Sequence, residues 1–294
     1  MSTKNDARQI PPALAALLPE LTALRRDLHA HPETAYEEKR TASVAISWLE
    51  ALPGMTLRKG LAGGTGVVAT LGADKPGPCL ALRADMDALP VQDHCGQPYA
   101  STRPGVGHVC GHDGHVACLL GAARLLAADP AGLDGPVRFI FQPAEEGGAG
   151  ADRMCREGAL DNPRPEYIFA LHCWPFLPVG TVGVRPGAVM ASTDAIDIEI
   201  HGRGSHAAMP QKGVDAVVAA AHVVVALQSA VARLSDPIEP AVVTIGSMTG
   251  GTARNVIAGQ VSLRGTIRAI SPAQRETLRR AVRQITEQTA GAFG

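Results

Sequence analysis

The chain has 294 residues, 46% of them hydrophobic and 3% aromatic, which is enough for a sizeable core and, by length, about two domains. A net charge of −1 leaves no electrostatic footprint for nucleic acid or an anionic membrane surface. No apolar run reaches transmembrane length and the polar start MSTKNDARQI lacks a secretory pattern, so the expectation is a cytoplasmic protein with no membrane partner. The six cysteines, Cys79, Cys95, Cys110, Cys118, Cys155 and Cys173, form no compact framework. In a reducing compartment they are thiols, and a conspicuous one is a ligand or nucleophile rather than half of a disulfide.

Residues 13–29 carry helical apolar spacing, interrupted at Pro19 and ended by Pro32, and residues 37–52 read as a second amphipathic helix. TGVVATLG and PCLALRAD follow as short β-rich runs joined by the turn-forming ADKPGP. GTGVVA is no dinucleotide-binding loop, because its glycines lead into a β-branched run instead of a helix. A helix over about 113–128 follows GHVCGHDGH, with Asp113 as its expected N-cap. VRFIFQP and EYIFALHCWP read as buried strands. Strands alternating with helices predict an α/β layer domain with a mostly parallel sheet. From about residue 185 the texture changes to strand, helix, strand, strand, helix, a split βαβ sandwich of α+β type without its last strand. The expected division is a catalytic domain over 1–185 and a smaller domain over 186–294.

Four clusters carry chemistry. Glycines 107, 111 and 114 argue against a continuous helix through His108, His112 and His115, so a turn that aims Cys110 and His112 into a cleft fits better. Glu145 and Glu146 in QPAEEGGAG follow a strand, among apolar residues and glycine. Adjacent carboxylates there can divide labour between binding a metal and accepting a proton. Asp85 and Asp87 end another strand and fit a capped turn as well as a site. His172 ends a fourth, where a lone histidine is more often structural. In an open α/β sheet with parallel strands, these ends meet at one edge. Cys110, His112, Glu146 and His172 then make a mixed sulfur, nitrogen and oxygen set suited to borderline ions. A thiol nucleophile built from Cys110 and His112 leaves the glutamate pair unexplained.

The strings RRDLHAHPE, RADMDALP, HVCGHDGH, FQPAEEGGAGA, LHCWP, GRGSHAAMP and TARNVIAG resemble, in order and over nearly the whole chain, the M20 metallopeptidases. The resemblance is to their aminoacylase and hippurate hydrolase-like amidohydrolase branch. It implies a Zn-peptidase-like catalytic domain with an inserted ferredoxin-like lid that dimerises. It also implies two divalent ions (Zn, Mn, Co or Ni) and a small N-acyl amino acid as substrate. Carried over, Cys110 bridges the metals, His112, Glu146 and His172 are terminal ligands, Glu145 is the general base, and Asp87 orients a ligand histidine. His206 polarises the substrate carbonyl, while Asn255 and Arg268 hold its carboxylate. Ser205 and Gln211 depart from the commonest lid motif. Family members continue past the equivalent of Gly294 with a last lid strand and a last histidine ligand, so the chain reads as C-terminally truncated. The rival classes are a non-catalytic dimerisation or binding module and a dipeptidase or deacylase of the same fold.

Overall fold

The computed structural model describes residues 10–294 and divides them into two compact units, one ending at Val179 and one spanning Gly180–Gly294. The first unit runs α1 (Pro12–Ala30), α2 (Lys39–Glu50), β1 (Met55–Leu61), β2 (Gly66–Leu71), β3 (Leu80–Asp85), α3 (His112–Ala128), β4 (Val137–Gln142), α4 (Gly150–Arg156) and β5 (Tyr167–Ala170). Its sheet has the order β1-β2-β4-β3-β5. β3 pairs in parallel with both β4 and β5, whereas β2 is antiparallel to β1 and β4. Only β2 therefore runs against the other four. The carboxyl ends of β3, β4 and β5 lie on one edge, the edge where open α/β sheets build sites.

Core packing follows the side-chain pattern. β4 is buried throughout because its two faces meet different partners. Phe139 and Phe141 join Val67, Ala69, Leu71, Leu49, Val116 and Leu120 on the face covered by α2 and α3. Ile140 packs with Val68, Ala81 and Met154 of α4 on the other. α1 lies against α3 so closely that a Cβ at Gly121 would come within 2.7 Å of Leu21.

Several expectations are corrected here. α1 is continuous through Pro19. That proline is exposed, so the carbonyl it leaves without a helical donor faces water, while Leu17, Leu21 and Leu28 stay buried. Asp113 is not the N-cap of α3. Gly111 caps it in the left-handed region at φ 87°, and the Asp113 carboxylate is buried under Arg25 and His29. β5 is an exposed edge strand rather than a buried one. β1 and α4 lacked any predicted counterpart.

The second unit contains β6 (Ser192–His201), β7 (Ser205–His206), α5 (Ala216–Leu234), β8 (Ala241–Gly250), β9 (Val256–Ile257), β10 (Gln260–Ala269) and α6 (Pro272–Gly291). β10 sits between β6 and β8, antiparallel to both, and β7 pairs with β9. The core joins Ile196, Ile200, Val261, Leu263 and Ile267 of the sheet to Val223 and Leu227 of α5 and Leu278 of α6. Asp215 caps α5 by accepting the N–H groups of Val217 and Val218, and Ser271 caps α6 through Gln274 N–H. α5 is long and apolar enough to cross a membrane by length and composition, which corrects the expectation that no run reaches that length. Its inner residues Ala216, Ala219, Ala220, Val223, Leu227 and Ala230 are buried within this unit.

Candidate metal centre

β3 leads into Asp85 and Asp87, both buried. β4 leads through Ala144, held at φ 51°, into Glu145 and Glu146. Asp87 ties these two strand ends together. Its Oδ1 accepts Glu145 N–H at 3.0 Å and its Oδ2 accepts Glu146 N–H at 2.9 Å. The same carboxylate lies 3.4 Å from Nδ1 of His112. From below, the fully buried Glu38 accepts Ala144 N–H at 2.8 Å and the Thr65 hydroxyl at 2.9 Å.

His112 opens α3 with its ring fully buried. Its Nε2 faces Asp85 at 3.6 Å, Glu146 at 3.8 Å and Glu145 at 4.0 Å, yet it forms a hydrogen bond with none of them, and Glu146 Oε1 is likewise buried without a partner. Cys110 Sγ lies 3.5 Å from His172 Nε2. One donor atom each from Cys110, His112 and His172 falls within 4.8 Å of the others, and so do donors from His112, Glu145 and Glu146. The four expected ligands thus converge around His112, with Glu145 beside them.

The electrostatics of the cluster are those of donors arranged for a cation. Burial, then the hydrogen bond and charge of Glu146, then the charges of Glu145 and Asp85, push the Cys110 thiol up to about 12. Burial and the adjacent Glu146 raise Glu145, with His112 pulling the other way. Burial opposes ionisation of Asp85, but the hydrogen bond from His115 and the charges of His112 and Arg83 outweigh it and hold the carboxyl at about 2. Crowded carboxylates, an unsatisfied buried imidazole and a thiol resisting ionisation are all relieved by positive charge placed among them. The residues fit divalent metal, and the mixed donor set matches borderline ions.

Three residues have placements that their spacing did not disclose. His115 is held between Asp85, at 2.6 Å from Nδ1, and the Cys173 N–H, which its Nε2 accepts at 2.9 Å. Both ring nitrogens are thereby used, and His115 supports the cluster by fixing the segment that carries His172. Arg83 bridges Asp85 and Gln142. His108 lies apart from the cluster, buried with its ring centroid 6.4 Å from that of His29. The i, i+3 spacing of His112 and His115 on α3 was the available signal for His115; the glycines around it argued against using it. All six cysteines are free thiols.

In the second unit, His206 lies on β7 of the β7–β9 ribbon and Asn255 directly precedes β9. His206 pairs with Val256, and Ala207 N–H donates to the Asn255 carbonyl. Both side chains are exposed. Arg268 stands on β10, half-buried, donating to the Thr266 hydroxyl and the Ile267 carbonyl.

Residues 81–281 match Peptidase family M20/M25/M40. N-acetyl-L-cysteine deacetylase of Bacillus subtilis is 41% identical over 283 residues, covering 96% of this chain and 67% of the relative. N-acyl-L-amino acid amidohydrolase of Geobacillus stearothermophilus is 40% identical, covering 92% and 71%. A Bacillus subtilis structure described as a dinuclear metal binding peptidase from the M20 family superposes with TM-score 0.78 at 38% identity, covering 95% of this chain and 72% of that one. With that likeness carried through both sequence and fold, the chain belongs to peptidase family M20/M25/M40, among its amide-cleaving amidohydrolases.

Proposed function

We propose that this protein hydrolyses the amide bond of small N-acyl amino acids at a two-metal centre held by Cys110, His112, Glu146 and His172. The observation that carries the reading is the buried Nε2 of His112, unbonded among three carboxylates and facing the Cys110–His172 pair. Divalent ions bound there would polarise the acyl carbonyl and acidify a water molecule. Glu145 is the proton acceptor. Its side chain is 41% exposed, so solvent and substrate reach it, and its pKa is raised toward working pH. The proton it takes from water is the one it delivers to the departing amine nitrogen, so the carboxylate is restored after each turnover. Asp87 fixes the direction of the Glu145–Glu146 backbone and of the His112 ring, the supporting role on which ligand geometry depends. His206 is assigned as hydrogen-bond donor to the substrate carbonyl, and Asn255 and Arg268 as partners of its carboxylate, on the strength of their motifs.

The test is release of free amine from N-acetyl-L-cysteine and N-benzoylglycine, with metal content measured on the same sample. Hydrolysis that a chelator abolishes and Zn, Mn, Co or Ni restores is the expected result. Metal uptake without hydrolysis of any acyl amino acid would favour a binding module instead.

A further inference from the structure

A second group of donors lies on the other side of the α3 start. His112 is directed into the cluster above, whereas its neighbour Asp113 is buried against Arg25 and His29 of α1. There Asp113 Oδ2 accepts from Arg25 Nε at 2.8 Å and lies 2.8 Å from His29 Nδ1. His29 Nδ1 also lies 3.3 Å from Arg25 Nη2, but the shorter carboxylate contact assigns the proton to Nδ1, which then donates to Asp113. The other nitrogen, Nε2, is left buried with no hydrogen-bond partner. It is directed at the loop between β3 and α3, where it stands 3.3 Å from Asp93 Oδ2. The Cys95 thiol lies 3.3 Å from the same oxygen.

We propose that His29 Nε2, Asp93 Oδ2 and Cys95 Sγ form a separate binding site for a single thiophilic divalent cation of the zinc type. Three observations carry it. First, the spacing matches. Tetrahedral zinc with bonds of about 2.0–2.1 Å to nitrogen and oxygen and about 2.3 Å to sulfur sets N···O and S···O edges of about 3.4 and 3.6 Å. The structure gives 3.3 Å for both, with all three donors within 4.8 Å of one another. Second, a carboxylate on the far nitrogen is the arrangement that orients a metal-bound imidazole and raises its basicity, and Asp113 occupies that place. Third, the charges close. Asp93 is held as a carboxylate by the N–H groups of Ser101 and Cys95, each at 2.8 Å. Carboxylate and thiolate together neutralise one dication, while Asp113 is already offset by Arg25. Cys95 is exposed and gives the ion its way in and a fourth position for water. Oxygen-seeking ions such as magnesium are disfavoured by the sulfur and nitrogen donors.

The competing arrangement is metal-free: an imidazolium shared between Asp113 and Asp93. The two are separated by alkylating the full-length protein with and without zinc and reading each cysteine by peptide mass spectrometry. Cys155, also an exposed free thiol, reports adventitious zinc binding. Protection of Cys95 by about tenfold or more, reversed by chelator, with Cys155 unchanged, is expected. In parallel, Cys95→Ser should bind one zinc ion fewer than wild type. Equal labelling of Cys95 with and without zinc, a slowing no greater than that of Cys155, or an unchanged zinc count in Cys95→Ser would each overturn the site. None of these readouts depends on the amidohydrolase reading, which rests on Cys110 and its neighbours.

Discussion

Replacing Asp87 with alanine tests how the site is held together. The carboxylate is fully buried and joins three things: the N–H groups of Glu145 and Glu146 and the ring of His112. A hydrogen bond to a charged acceptor contributes more than a neutral one, but both N–H groups are only partly buried, so about 1 kcal/mol each is the appropriate scale. Asp87→Ala should therefore lose about 2 kcal/mol of stability, measured by urea unfolding of chelator-treated protein at pH 7. Burial opposes ionisation of Asp87, and the hydrogen bond from His112 and the two backbone N–H groups outweigh it and lower its pKa. A carboxyl with a depressed folded-state pKa contributes fully above the ordinary aspartate range and loses that contribution as pH falls through the depressed value. The gap between wild type and variant should thus narrow as pH drops below about 4. Metal affinity should fall by about 10- to 100-fold, as for other removals of ligand-orienting partners. A variant within about 0.5 kcal/mol of wild type at pH 7, or a gap as wide at pH 3 as at pH 7, would refute the clamp.

Other outcomes follow from the same geometry. Glu145→Gln should keep its metal content and lose about 10³-fold in kcat; near-wild-type turnover would remove Glu145 as the proton acceptor. In chelated protein Cys110 should alkylate far more slowly at pH 8 than exposed Cys155, because burial and the neighbouring carboxylates push its thiol up to about 12; equal rates would contradict that environment. Glu38 is raised by burial, only partly offset by its hydrogen bonds. The folded state therefore binds this proton more readily than the unfolded chain, and wild type gains stability as pH falls from neutrality toward the ordinary glutamate range. Glu38→Gln should flatten that slope in urea titrations while staying within about 1 kcal/mol of wild type at pH 7, since the amide oxygen still accepts Ala144 N–H.

How much of this was readable beforehand differs by kind of residue. Strands β2 and β4 were legible because they are buried along their whole length, β3 because its apolar run ends at a turn, and the helices because their apolar residues recur with clear periodicity. β1 was not, since Met55–Leu61 is mostly exposed and its alternation stops after Arg58 at Lys59 and Gly60. The apolar run of β5 reads as a buried strand because hydropathy cannot distinguish an edge from a centre. Asp113 illustrates a different limit. Its position before an apolar helix fits a cap, but a partner 84 residues earlier, His29, claims the carboxylate instead. Convergence of Glu146 and His172 was foreseeable because parallel topology places the ends of β4 and β5 together, whereas Cys110 and His112 reach the same edge from the start of α3, after a loop of more than twenty residues, and not from a strand end. The supporting contacts of Asp85, His115 and Glu38 were not, because they depend on rotamers and loop paths that no spacing encodes.

Gly111 bears on more than the helix it begins. A Cβ at that position would lie 3.2 Å from Cys173 Cβ and 3.3 Å from its sulfur. The tail of β5 therefore seats against a notch where one methyl group is absent, and the donor it brings from 60 positions downstream, His172 relative to His112, inherits its placement from that notch. Even an alanine there would strain the left-handed backbone and push the Cys173 segment by a few tenths of an ångström, shifting His172 relative to His112 while leaving both side chains chemically intact.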